Sequence, residues 1–204
     1  MQIQKDDIRD TILNVARGEF TEKGFKDASM RTIARKAKVG LSNIYNYFKN
    51  KDEIFREILF PVLSAFDKAL AEHNHADYIN LEVFSSERYL KKQVDRHLTL
   101  VDSHKEDLKL LFFKSSGSSL ENYQEVLIER HTRTGVEYID LMKTKYPEIN
   151  ADISPFFIHT MCAWFMSSIV ELVMHDLSHG QMQQFLREYM EYSTAGWKKV
   201  MRVE

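Results

Sequence analysis

Apolar residues recur three and four positions apart along most of this chain, a spacing that puts them on one face of a helix. Ile8, Ile12, Val15, Ala16 and Phe20 mark a first amphipathic helix, closed by Glu22-Lys23-Gly24-Phe25. Ser29 can cap a second helix by accepting an otherwise unpaired first-turn N–H, and Met30, Ile33, Ala34 and Ala37 give it an inward face. A turn around Lys38–Gly40 breaks that helix. A third, Leu41–Phe48, turns Ile44 and Phe48 inward and leaves Leu41, Ser42, Asn43, Tyr45, Asn46 and Tyr47 wholly or partly outward. Hydroxyls, amides and aromatics on one outward face suit base edges and phosphates better than bulk water.

The remainder continues in longer helices. Lys51–Glu72 carries Ile54, Phe55, Ile58, Leu59, Val62, Phe66 and Leu70 at core spacing, and Pro61 inside it predicts a kink or break. His73–Glu82 lacks periodicity and reads as a loop. Ser85 or Ser86 starts a helix to Val101, Ser103 caps a shorter one over Lys105–Phe113, and Lys114–Ser119 (KSSGSS) is a linker. A helix from about Leu120 to Lys145 follows. Ser154-Pro155 then opens a helix to about Leu177, closed by His179-Gly180, and Gln181–Met201 forms the last. The pattern predicts an all-α protein of about nine helices, with domains over 1–50 and 51–204.

Composition sharpens this picture. Seven Gly and three Pro in 204 residues leave few breakers. From Lys26 to Lys51 there are seven basic residues against one acid, in a chain of formal net charge −2. A cationic head on an acidic body points to a polyanionic partner such as duplex DNA. The lone Cys162 cannot form an internal disulfide, which fits a reducing cytoplasm, and the polar start MQIQKDDIRD has no secretory core. Phe156–Met174 is long and apolar enough to span a bilayer, but flanking polar caps and the basic head favour burial against its own domain and a partner.

The linked spacing of the first three helices resembles the DNA-binding domain of the TetR family of bacterial transcriptional regulators. The residues that carry it are the first helix and its Glu22–Phe25 close, Arg31, Ile33-Ala34, Ala37, Ile44-Tyr45, Tyr47-Phe48-Lys49-Asn50-Lys51 and Glu53-Ile54. Three positions depart from the family pattern: Lys38 for a turn Gly, Gly40 for a capping Ser or Thr, and Thr32 for an acid of a capping box. The resemblance implies a helix-turn-helix head and a helical effector-binding and dimerisation body. It implies a homodimer, paired through its last two helices, that binds a double-stranded palindromic operator. Leu41, Ser42, Asn43 and Asn46 would contact bases, and Ser29, Tyr45, Tyr47 and Lys51 phosphates, with Arg31, Lys38 and Lys49 adding charge. The dimer faces would be Phe157, Met161, Trp164, Phe165, Ser168 and Leu172, with Met182, Phe185, Leu186, Tyr189, Met190 and Trp197.

A small-molecule effector is expected inside the body, lined by Phe112, Phe113, Tyr123, Tyr138, Met161 and Trp164, with His97, His131 or Glu137 as polar handles. The function implied is a ligand-responsive repressor, with no catalytic role and no cofactor. Two alternatives stand beside it: a dimeric DNA-binding protein without an effector, and a helical metal-binding protein. For the latter, Glu171, His175 and His179 would lie at i, i+4 and i+8 on one helix face. No H-E-x-x-H or C-x-x-C supports a metal, and a polar helix end explains the same residues. The serines of Ser115–Ser119 lack the strand-to-helix elbow of hydrolases.

Overall fold

Ile12, Ala16 and Phe20 are fully buried on one stripe of helix α1 (Gln2–Asp27), as their spacing requires. Gly24, at φ 75°, breaks the helical backbone before its last turn, a conformation that costs glycine little. The computed structural model describes residues 2–203; Met1, which opens the polar N-terminal stretch, and Glu204 lie outside it. Among the described residues there are eight α-helices, two 3-10 turns and no strand. After α1 come α2 (Met30–Lys36), α3 (Leu41–Ile44), α4 (Lys51–His73), α5 (Glu87–Phe113), α6 (Tyr123–Lys145), α7 (Pro155–Met174) and α8 (His179–Val200). The expected loop at 73–82 contains the 3-10 turn Ala76–Tyr78, and a second spans Leu81–Phe84.

The chain divides into two compact units. One comprises Met1–Ser64 with Glu106–Tyr123, the other Ala65–Lys105 with Gln124–Glu204. In the first, Phe20, Phe25 and Phe55 form an aromatic centre with ring centroids 5.0–5.9 Å apart. Ile33, Ile44, Ile54, Leu59, Leu108 and Leu111 are sealed in the same unit. In the second, Ile79, Ile139, Met142, Ile149, Ile158 and Met201 make one apolar cluster. Gly135 lets α6 approach α7, since a Cβ there would lie 3.1 Å from Ile158 Cγ2.

Several helix limits differ from the sequence expectation. The helices expected to Val101 and from Lys105 are one element, α5, bent at His104 (φ −127°, ψ 18°); neither Gly nor Pro is present there to stop it. Helix α4 continues unbroken through Pro61, whose side chain is exposed. The Glu57 carbonyl that loses its donor belongs to an exposed residue, so water can replace the bond. Helix α7 stops at Met174, not Leu177, and Gly180 does not close it. Ser178 caps α8 instead, in a reciprocal capping box with Gln181 that puts His179 and Gly180 in the first turn. Ser154 caps α7 ahead of Pro155, as expected.

The side chains expected at the dimer faces of α7 and α8 divide between burial and exposure. Ser168, Leu172, Met182, Leu186 and Tyr189 are buried within the protomer. Among the described residues of these two helices the large apolar side chains left exposed are Phe156 (78%), Phe157, Trp164 (39%), Met174 and Tyr192 (70%), and Trp164 and Tyr192 touch at 5.5 Å between ring centroids. Helix α7 is long and apolar enough to cross a membrane, but Ile158, Met166, Ile169 and Val173 are buried in its own unit.

Candidate functional site

Helix α2 starts where Ser29 Oγ accepts the Thr32 N–H at 3.5 Å. It ends at Ala37, and Lys38 takes a left-handed conformation (φ 56°) to reverse the chain. A residue with a Cβ is disfavoured there by about 1–2 kcal/mol, which gives a physical meaning to the glycine that Lys38 replaces. Gly40 caps α3 without a side-chain bond. The regular part of α3 ends at Ile44 rather than Phe48, yet Phe48 N–H still donates to the Ile44 carbonyl at 3.0 Å. Ile44 and Phe48 are buried beneath it.

Above them lies a polar face. Ser42, Tyr45 and Asn46 are exposed, and Leu41, Asn43 and Tyr47 are partly so. Asn46 Nδ2 donates to Asn43 Oδ1 at 3.2 Å, which orders the two amides against each other before any partner arrives. Arg31, Arg35, Lys38 and Lys49 are exposed and their side chains form no ion pair among the described residues. Their charge is therefore free to meet a polyanion.

Two other cations of the basic run are already committed. Lys36 bonds the sealed carboxylate of Glu19 at 2.8 Å, which ties α1 to α2, and Lys23, ahead of the run, bonds the same carboxylate from within α1 at 2.8 Å. Hydrogen bonds from both ammonium groups hold the Glu19 carboxyl down to about 2, against the desolvation that raises it. Lys51 was expected among the phosphate contacts. Its Nζ instead donates to the carbonyls of Phe25 (2.6 Å), Ala28 (3.0 Å) and Lys26 (3.2 Å), and lies 4.4 Å from the Phe25 ring centroid. Those carbonyls lie in the last turn of α1 and just past it, where positive charge is favoured. Desolvation pushes the Lys51 ammonium below its usual range.

The compact unit that contains the head extends past residue 50. Arg17 bonds both Asp107 and the Ile58 carbonyl, the latter at 3.1 Å. The Phe25 N–H donates to the Lys114 carbonyl at 2.8 Å. Asp52 accepts the N–H and the O–H of Ser119, both at 2.7 Å. None of these long-range partners could be read from local pattern.

The residues expected around an effector fall in both units. Phe112, Phe113 and Tyr123 belong to the first unit; His97, His131, Glu137, Tyr138, Met161 and Trp164 belong to the second. Phe165, expected at a dimer face, instead lies between His97 (5.1 Å, perpendicular) and His131 (5.9 Å, nearly parallel). Tyr189 closes on it at 5.9 Å. Burial holds both imidazoles down at about 4. Tyr138 donates to the Tyr78 carbonyl at 3.1 Å and packs on His73 at 5.2 Å. Glu137 accepts from Asn74 at 3.4 Å. His73 and Phe165 were not anticipated at this site; their positions on separate helices give no sequence signal.

The metal alternative loses its geometry because α7 ends before His175. His175 turns to Glu171 at 3.0 Å, whereas His179 bonds Asp102 at 2.7 Å. Among the described residues no three His, Cys, Asp or Glu side chains are grouped to hold an ion.

Residues 12–58 match the model for bacterial regulatory proteins of the tetR family. The helix-turn-helix-type transcriptional regulator YhgD of Bacillus subtilis (strain 168) is 42% identical over 57 residues, 28% of this chain and 30% of YhgD. UidR of Escherichia coli (strain K12), also such a regulator, is 34% identical over 83 residues, 39% of this chain and 42% of UidR. The chain thus spans less than two thirds of these curated relatives. Its fold matches crystalline NalD of Pseudomonas aeruginosa, the secondary repressor of the MexAB-OprM multidrug efflux pump, with TM-score 0.65 at 18% identity. That superposition covers 91% of this chain and 95% of NalD.

Proposed function

We propose that this chain, whose residues 12–58 match the tetR family of bacterial regulatory proteins, is a TetR-family regulator: a cytoplasmic, DNA-binding repressor released by a small molecule. The observation that carries the reading is the polar face over Ile44 and Phe48 in a head that also exposes the unpaired cations Arg31, Arg35, Lys38 and Lys49. Leu41, Ser42, Asn43 and Asn46 read base edges in the major groove. Ser29, Tyr45, Tyr47 and the free cations hold phosphates and set the register. Lys51 acts one step back, by fixing the end of α1 against α4.

A second copy covers the exposed row of Phe156, Trp164 and Tyr192 on α7 and α8. Thr160 and Ser167, exposed on α7 between and beyond these aromatics, are small enough to let a facing helix approach. Two heads then bind two half-sites, which gives the operator its symmetry. The effector binds the second unit and favours the released state by its differential affinity for that state.

Selection of bound duplexes from a random DNA library tests this reading. The expected result is one enriched palindrome, bound by a dimer with affinity that falls steeply as salt rises. Recovery of no preferred sequence, or binding indifferent to salt, would overturn it.

A further inference from the structure

We propose that the second unit holds a site for an uncharged, flat ligand, an aromatic or conjugated ring bearing a hydroxyl or N–H donor. The ring seats beside Phe165 and the donor bonds His97 Nε2. This rests on the regulator reading, since the ligand would be its effector.

The tautomer of His97 decides the chemistry. Its Nδ1 lies 2.7 Å from the Gln93 carbonyl, which can only accept, so Nδ1 carries the proton and Nε2 keeps a bare lone pair. That lone pair has no partner among the described residues, and neither ring nitrogen of His131 has one. Yet among the described residues no sealed side-chain nitrogen or oxygen is left unbonded. These nitrogens therefore open onto space that water can enter, although both rings lie deep enough for burial to suppress their charge. Desolvated rings with accessible, unpaired nitrogens point to a recess at this place. Phe165, held against both, gives it an aromatic surface.

The surrounding charges are already paired or bonded. Arg96 donates to the Ala69 carbonyl and faces Glu72 at 3.8 Å. Arg130 pairs with Asp67 at 2.7 Å, and His73 meets Asn74 Oδ1 at 3.2 Å. A carboxylate ligand finds no free cation unless an imidazole first takes up a proton. That uptake is opposed by burial and by Arg96 and the neighbouring histidine. A cationic ligand would leave a buried charge without a counter-ion. A neutral donor satisfies His97 without that penalty and stacks on Phe165.

Three probes separate the neutral-donor, purely apolar and carboxylate cases on the full-length protein at pH 7.5: 2-naphthol, naphthalene and 2-naphthoate, followed by titration calorimetry and by quenching of tryptophan fluorescence. Trp164 packs on Tyr189, which touches Phe165, so occupancy should register there. We expect 2-naphthol to bind about tenfold more tightly than naphthalene, the worth of one hydrogen bond, and 2-naphthoate to bind worst. His97→Phe should keep naphthalene binding and abolish the preference for the hydroxyl. Should that variant not fold, imidazole nitrogen resonances of the wild type serve instead: the His97 Nε2 signal should shift with 2-naphthol and not with naphthalene. Equal binding of 2-naphthol and naphthalene, tighter binding of 2-naphthoate, or no binding of any probe would overturn the proposal. Operator binding by the same samples keeps the readings apart. If it persists without probe discrimination, only the ligand class falls; if it is absent, the regulator reading itself fails.

Discussion

Lys51→Met tests whether this lysine holds the head together or holds DNA. Methionine keeps an apolar stem beside Phe25 and deletes only the ammonium. Three carbonyls, those of Phe25, Lys26 and Ala28, then lose their donor, at lengths of 2.6–3.2 Å in the wild type. One charged hydrogen bond contributes about 1.5–3 kcal/mol, and the cation over Phe25 adds about 0.5–1 kcal/mol. The three bonds share one ammonium, and the downward shift of its pKa records the desolvation that opposes them. A net loss of about 2–3 kcal/mol is therefore expected. Both tryptophans lie outside the first unit, so native-state hydrogen exchange at buried Ile33 and Phe55 is the suitable assay. In parallel, operator affinity is measured against salt. Lys51→Met should leave the slope of log affinity on log salt unchanged, whereas Lys49→Met should reduce it by about 0.9 as one phosphate ceases to be neutralised. Wild-type exchange combined with a reduced slope for Lys51→Met would refute the bracing role and return Lys51 to the phosphates.

Four further outcomes follow from the geometry of the two units. His97 and His131 fall from 6.5 to about 4 on folding, so the unfolded chain binds more protons between those values. Stability should drop by about 2 kcal/mol per imidazole from pH 7 to pH 5, and His97→Phe should flatten the urea-midpoint profile in that window. Glu19 titrates in the opposite sense, from 4.5 to about 2, so its contribution is present above pH 4.5 and is lost towards pH 2; Glu19→Gln should cost about 2 kcal/mol at pH 7 in urea unfolding. Asn43→Ala should change base preference by about 1–3 kcal/mol at one operator position in a selection experiment, without a uniform loss on random DNA. Trp164→Asp should yield a folded monomer in sedimentation, whereas Leu186→Asp, at a site 1% exposed, should unfold the protomer.

The helical class, the order of the elements and the position of the basic head were legible because periodicity and capping are local signals. The N-caps at Ser29 and Ser154 and the missing cap at Gly40 follow from single residues. The Ser178-x-x-Gln181 signature was equally local, but the neighbouring His-Gly pair reads as a stop and hides it. Tertiary partners were not legible. Lys51 looks like any surface cation until the folded chain brings three carbonyls to it. Arg17 and Asp107 stand 90 positions apart. His97, His131 and Phe165 occupy three different helices, and only packing brings the apolar residue to the histidines.

The clasp around the head has a consequence for how such proteins can be recombined. Asp107, Lys114 and Ser119 lie far along the chain from the helices they secure. A cassette cut at residue 50 would discard the acceptor for Arg17, the partner of the Phe25 N–H and the whole of α4. Swapping operator specificity between homologues by exchanging only the first fifty residues would graft a reading surface onto mismatched anchors. A portable specificity module in this architecture is discontinuous: residues up to 64 and the stretch 106–123 must travel together.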